Sequence, residues 1–344
     1  MNKKILPAEW DIQDAIQLTW PDHQTEWEPY LDKVLECYIN IAAEVIKHEH
    51  LIIVCRNIED TKIQLKNLDL SKVIFRQIEL NDTWARDHAG ISVVNENGEK
   101  KILDFVFNGW GLKFNSNLDN QITKQMFEQN TFQKDVKRLS LQPFVLEGGS
   151  IDTDGRGTLL ATEECLCSIN RNEYLNKIEI ENKLKSFFGF SRILWLTHGN
   201  IIGDDTDSHI DTLARFCSED TIAYVQCKDT NDAQYESLHK MELELKNFRT
   251  LDGKPYNLIP LPLPEAIFLE DYRLPATYAN FLILNGAVLM PAMGTELDII
   301  AKSQLQKAFP DRKIISINCC ALLSGHGSLH CITMQYPKGF INFN

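Results

Sequence analysis

The segment Gly203-Asp204-Asp205-Thr206-Asp207-Ser208-His209-Ile210-Asp211 is the densest cluster of ionisable side chains in the chain. On an extended strand His209 and Asp211 point to one face while Ile210 points into packing. Acidic neighbours favour imidazolium, so His209 is expected to titrate upward and to serve as a general acid. Cys331 lies in Ser324-Gly325-His326-Gly327-Ser328-Leu329-His330-Cys331-Ile332-Thr333, a glycine-bearing approach followed by a β-prone run. Glycines let a backbone come close to a ligand. On this segment alone a buried structural cysteine is a better reading than a nucleophile. His330 adjoins the thiol, but neighbours on a strand face opposite ways, so His209 is the better base.

Asp87 follows Trp84 and Arg86 in Asn81-Asp82-Thr83-Trp84-Ala85-Arg86-Asp87, and Glu147 precedes Gly148-Gly149-Ser150. Alone, the first reads as an aspartate paired with arginine and the second as a strand-end carboxylate beside a turn. Together with Asn280 these residues meet one chemical demand. A guanidinium is planar, permanently charged and forked, so carboxylates can grip its N–H edges while a thiolate attacks the central carbon. Trp84 could pack on the alkyl chain or the cation. Two other classes compete. Asp204, Asp205, Asp207, His209 and Asp211 could ligate a hard cation in a metal-dependent hydrolase, and the same residues could form a noncatalytic guanidine-binding module.

What must position these residues is a recurring hairpin, helix, strand cycle. Three hairpins carry the Asn-Gly or Asp-Gly pair of type I′ turns. The first has strands Ile91–Val94 and Ile102–Phe107 around Asn97-Gly98, a helix near Leu118–Gln129 and a strand near Pro143–Leu146. The second has Ser150–Asp152 and Thr158–Ala161 around Asp154-Gly155, a helix near Tyr174–Phe188 and the strand Arg192–Leu196. The third runs from His209–Phe216 through Ile222–Cys227, a helix near Ala233–Asn247 and a strand near Tyr256–Leu261. The fourth has Phe281–Leu284 and Val288–Pro291 around Asn285-Gly286, a helix near Leu297–Ala308 and the strand Lys313–Ile317. Leu329–Tyr336, the strand Ala15–Trp20, the helix Trp27–His48 and the strand Leu51–Val54 would complete a fifth unit across the termini. The pattern predicts one α/β domain over residues 1–344, of about five ββαβ units around a pseudo-symmetry axis. Asp87, Glu147, His209 with Asp211, Asn280 and Cys331 each fall at or just before the first strand of a unit, so a ring would bring them to one end of its axis.

Composition narrows the function. A chain of 344 residues, 44% hydrophobic, has ample material for a core. A formal charge of -13 disfavours nucleic acid and anionic membrane and suits a cationic ligand, although solubility alone also explains it. Met1 to Trp10 offers no apolar stretch for a signal sequence, and no run of roughly 18 apolar residues appears. Nine cysteines without paired CxxC spacing fit neither a disulfide framework nor a zinc ribbon. The expectation is a cytoplasmic enzyme with neither cofactor nor metal; a homo-oligomer is left open.

The chain resembles the agmatine deiminases, relatives of the bacterial peptidylarginine deiminases in the guanidino-group-modifying superfamily. The resemblance covers nearly the whole chain. It runs through Pro7-Ala8-Glu9-Trp10, Thr19-Trp20-Pro21, Trp84-Ala85-Arg86-Asp87, Phe107-Asn108-Gly109-Trp110-Gly111 and Glu147-Gly148-Gly149-Ser150. It continues in Asn170-Arg171-Asn172, Asp204-Asp205-Thr206-Asp207, His209-Ile210-Asp211, Tyr278-Ala279-Asn280-Phe281 and His330-Cys331-Ile332-Thr333. It implies a five-bladed α/β propeller (pentein fold) and hydrolysis of agmatine to N-carbamoylputrescine and ammonia, a step toward putrescine, through an amidino-cysteine intermediate. It makes Cys331 the nucleophile, His209 the acid and base, and Asp87 and Asp211 the carboxylates on the guanidinium. Glu147 would orient His209 and contact substrate, with Trp84, Asp205 and Asn280 lining the site. Ser208 departs from a common glycine, Thr212 from a common asparagine, and His326-Gly327-Ser328 from a triple glycine; these put fine substrate preference in doubt. Agmatine is preferred over peptidyl- or free arginine because its distal amine suits Asp204 and Asp205, whereas a carboxylate would need a cation such as Arg215 or Lys113.

Overall fold

In the computed structural model, residues 4–343 are described; Met1, Asn2 and Lys3, part of the stretch weighed as a signal sequence, lie outside them. Five sheets repeat one pattern: an antiparallel strand pair, then a helix, then a third strand parallel to the second. The units use Ile91–Asn95, Lys100–Val106 and Lys137–Val145; Ile151–Thr153, Thr158–Thr162 and Arg192–Leu196; Ala214–Ser218, Thr221–Gln226 and Asn257–Pro262; and Leu282–Leu284, Ala287–Ala292 and Lys313–Asn318. In the fifth, the C-terminal strand Thr333–Pro337 pairs antiparallel with Gln13–Thr19, which pairs parallel with His50–Cys55. A parallel partner cannot be reached by a tight turn, so each third strand needs a helical crossover. These crossovers are Asp119–Glu128, Lys177–Phe188, Tyr235–Asn247, Leu297–Ala308 and Leu31–His48.

Leu31–His48 shows why such segments become helices. Its buried residues Val34, Cys37, Tyr38, Ile41, Ala42 and Val45 recur at three- and four-residue intervals, one apolar stripe on a 3.6-residue period. The middle strands Thr158–Thr162 and Ala287–Ala292 are buried at every residue, as strands covered on both faces must be. Other elements lie outside the repeat, among them the strand Lys4–Ile5, antiparallel to Ile91–Asn95. The strand Val73–Gln77 extends the fifth sheet beside His50–Cys55, and a short hairpin pairs Phe268–Leu269 with Tyr272–Arg273.

The turns differ from expectation. Val94 pairs with Lys100 and Thr153 with Leu159, so the first two hairpins close through longer loops than a two-residue turn. The third and fourth are that short, Ser218 pairing with Thr221 and Leu284 with Ala287, and of the two only the fourth carries the Asn-Gly pair, at Asn285-Gly286. At Asn285-Gly286, Gly286 alone has a positive φ, whereas type I′ requires it at both central residues.

His209 is not on a strand either. It precedes a single 3-10 turn, Ile210–Thr212, and the strand begins at Ala214. Comparable short segments precede the other first strands: Ala85–His88 before Ile91, Gly148–Ser150 before Ile151, Asn280 before Leu282, and Cys331 before Thr333. Chemistry-bearing residues thus sit where the chain enters each sheet.

Candidate active site

Asn280 fixes the backbone at Cys331. Its Oδ1 accepts from the backbone N–H of His330 at 2.8 Å and of Cys331 at 3.3 Å, and lies 3.3 Å from Cys331 Sγ. It is fully buried, so it stands behind the thiol rather than on the cavity wall. Asp211 Oδ2 is 3.9 Å from the same sulfur. Burial, then the charges of Asp211 and Asp87, push the Cys331 thiol well above its ordinary value. A cation settling among these carboxylates would remove part of that penalty.

Gly149 is where the groups converge. A Cβ there would lie 2.7 Å from His209 Nδ1, 2.9 Å from Asp87 Oδ1 and 3.1 Å from Asp211 Oδ2. The 3-10 turn therefore brings His209 and Asp211 together although they do not share a strand face. His209 Nδ1 is 3.6 Å from Asp87 Oδ1, and its buried Nε2 has no hydrogen-bond partner. Burial disfavours the imidazolium, but Asp87, then Cys165 and Glu147, raise His209 well above an ordinary histidine. Asp87 does not pair with Arg86, which donates to Gln335 at 2.6 Å. Instead Asp87 accepts from Gly149 N at 3.0 Å and from Trp110 Nε1 at 2.9 Å.

Glu147 is fully buried and gripped by Arg171, whose Nε lies 2.9 and 3.0 Å from its two oxygens. Arg171 also donates to Asp207 Oδ2 at 2.6 Å and to the Thr206 carbonyl at 2.9 Å, tying two loops together. This disperses the carboxylates weighed as metal ligands. Asp207 turns to Arg171 and Lys113, Asp204 accepts from Thr206 and Ser208, and Asp211 accepts from His330. Among the described residues, Glu147, Cys165 and His209 are close enough to hold an ion, yet both Glu147 oxygens already face Arg171.

A cavity opens above Cys331. Asp87 and Cys331 reach it, Trp84, Trp110 and Phe114 supply aromatic surface, and Glu26, Asp205 and His326 complete the wall. Burial pushes Asp205 up to about 6, opposed by His326. None of the described residues lining the cavity is a lysine or arginine. Lys113 donates to Asp207 Oδ1 at 2.8 Å and to the Asp205 carbonyl, and Arg215 is buried against Glu9 at 2.6 Å and Asp152 at 3.3 Å.

Ser208 and His326 take φ of 66° and 65°, the left-handed region that glycine enters freely, which gives the common glycines at these positions a backbone reason. Thr212 lines the cavity and donates to the His209 carbonyl at 2.8 Å. Sequence reasoning missed Trp110, Arg171 and Glu26 as parts of the site. The first two lie in quoted motifs, and a clue to Trp110 was the glycine on either side: Trp110 itself has φ 53°, a strained state for a bulky residue. Glu26 has no local signal, because only the fold carries it to the cavity.

This arrangement suits nucleophilic attack on a planar cation. A structure of agmatine deiminase from C. jejuni, a cysteine-to-serine variant with substrate bound, is 39% identical to this chain with a TM-score of 0.90, covering 98% of this chain and 97% of that one. A Porphyromonas gingivalis structure, provisionally described as an arginine deiminase, is 48% identical with a TM-score of 0.94, covering 99% of this chain and all of that one. The agmatine deiminase of Pseudomonas syringae pv. tomato is 30% identical over 358 residues, covering 97% of this chain and 96% of its own length. The Porphyromonas-type peptidyl-arginine deiminase family matches residues 5–337, and the chain belongs to that family.

Proposed function

We propose that this protein is an agmatine deiminase: it hydrolyses agmatine to N-carbamoylputrescine and ammonia, with Cys331 as nucleophile. The observation that carries the choice of substrate is the cavity wall, which offers Glu26 and Asp205 and no lysine or arginine. A distal ammonium finds carboxylates there, whereas an arginine carboxylate would meet like charge. The five repeated sheets, closed by the pairing of Thr333–Pro337 with Gln13–Thr19, support one catalytic domain built as a five-bladed pentein propeller. Nine cysteines without a disulfide suit the reducing cytoplasm, and no helix among the described residues is long and apolar enough to cross a membrane.

In this reading the guanidinium sits between Asp87 and Asp211, and its positive charge favours the Cys331 thiolate. The thiolate adds to the guanidinium carbon. His209, held as imidazolium by Asp87, gives its proton to the departing nitrogen, which leaves as ammonia. An amidino-cysteine remains. Neutral His209 then takes a proton from water as it adds to that carbon, and collapse expels the thiolate and leaves the ureido product. Glu147, fixed by Arg171, orients His209, and Trp84 packs on the alkyl chain. Incubation with agmatine and rapid acid quench should leave an adduct on the Cys331 peptide by mass spectrometry. Cys331→Ser should fold and release no ammonia; near-normal release from that variant would refute the scheme.

A further inference from the structure

The Pro7-Ala8-Glu9-Trp10 motif lies far from Cys331 in sequence and outside the cavity, yet Glu9 is buried, 5% exposed. Its Oε1 accepts from the Ile283 backbone N–H at 2.8 Å. Its Oε2 accepts from Arg215 Nη2 at 2.6 Å and faces His330 Nε2 at 2.8 Å. The other nitrogen of His330, Nδ1, is 2.7 Å from Asp211 Oδ2. A continuous buried chain therefore runs from the N-terminal segment through the residue preceding the nucleophile to a carboxylate beside its sulfur. Asp211 Oδ1 is buried with no hydrogen-bond partner among the described residues, and so is free for a ligand.

We propose that Glu9 is a positioning residue of the active site, acting through His330 to fix Asp211 with its free Oδ1 turned to the substrate guanidinium. This rests on the role given to Asp211 above. Burial raises both carboxyls, but Arg215 and His330 hold Glu9, and His330 holds Asp211, below the ordinary carboxylate range. Both His330 nitrogens are engaged, Nε2 with Glu9 Oε2 and Nδ1 with Asp211 Oδ2, so the ring bridges the two carboxyl groups. The charged and titratable groups facing these residues are Arg86, 4.0 Å from Glu9, Arg215, Asp152, Glu49, Arg312 and Cys217, and, on the cavity side, Asp87, His209 and Cys331. The chain also explains why His330 cannot be the catalytic base: neither nitrogen is free.

Glu9→Gln keeps the size and removes the charge. The neutral amide no longer holds the His330 ring as firmly against Asp211, so Asp211 loses part of the hydrogen bond that keeps it below the ordinary range and takes up a proton more readily. The expected result is a fall of about tenfold or more in kcat/KM, with the acid limb of its pH profile moved upward by about one unit. His330→Gln should move the limb the same way. In the double variant, Glu9→Gln should add less than about threefold to the His330→Gln loss, because the two act along one path. A limb that stays put while activity falls, or losses that multiply in the double variant, would overturn the proposal and leave Glu9 a purely structural partner of Arg215. If Glu9→Gln does not fold, His330→Gln alone decides by the same limb. Failure of the unmodified enzyme to turn over agmatine would instead strike the functional reading; the relay would then be tested on whichever guanidino substrate it does turn over.

Discussion

Gly149→Ala tests the geometry of the site with one methyl group. The new Cβ would lie 2.7 Å from His209 Nδ1 and 2.9 Å from Asp87 Oδ1, against roughly 3.4 Å for ordinary contact. At least one of these groups must retreat by about half an ångström or more. Misplacement on this scale lowers turnover by about ten- to a hundredfold, or about 1.4 to 2.7 kcal/mol in the barrier. Overpacking also destabilises the fold by about 1–3 kcal/mol. Gly98→Ala is the control. Its φ of 77° strains an alanine, but nothing lies within 4 Å, so it should lose stability by about 1–2 kcal/mol and keep kcat. Ammonia release under saturating agmatine and urea unfolding give the two readouts. A Gly149→Ala enzyme with more than half the normal kcat would refute the claim that His209, Asp87 and Asp211 converge there.

Two further outcomes are expected. Arg171→Met leaves the buried Glu147 carboxylate unpaired and frees the Asp207 loop, so it should destabilise by about 3–5 kcal/mol in urea titrations; a loss under 1 kcal/mol would contradict the pairing. Asp205, pushed up to about 6, is neutral below that pH and anionic above it, so KM for agmatine should fall as pH rises from 5 to 7. Asp205→Asn should raise KM and flatten that trend; an unchanged trend would remove Asp205 from the distal site.

The repeat was legible because hairpins and crossover helices write themselves locally. Helix Leu297–Ala308 and strand Arg192–Leu196 have the bounds their periodicity predicts. Turn lengths were not legible, since Asp154-Gly155 closes as tightly as the flanking pairing allows, not as its dipeptide suggests. The ionisable residues stood out by type and by their recurrence at strand entries. Their partners did not. Arg171 meets Glu147 across 24 residues, Trp110 meets Asp87 across 23, and Glu9 meets His330 across 321. Pairings of that kind belong to the tertiary fold, and no local pattern encodes them. For the same reason the sequence left Arg215 and Lys113 open as carboxylate clamps until the structure showed them bound to Glu9, Asp152 and Asp207.

Substrate choice is the claim most exposed to a single measurement: kcat/KM for agmatine, free arginine and a C-terminal-arginine peptide side by side, with ammonia quantified and products identified. The acidic cavity wall predicts N-carbamoylputrescine from agmatine with kcat/KM at least about a hundredfold above either arginine substrate, a difference of about 2.7 kcal/mol. Citrulline formed from arginine or from the peptide with equal or greater efficiency would contradict it.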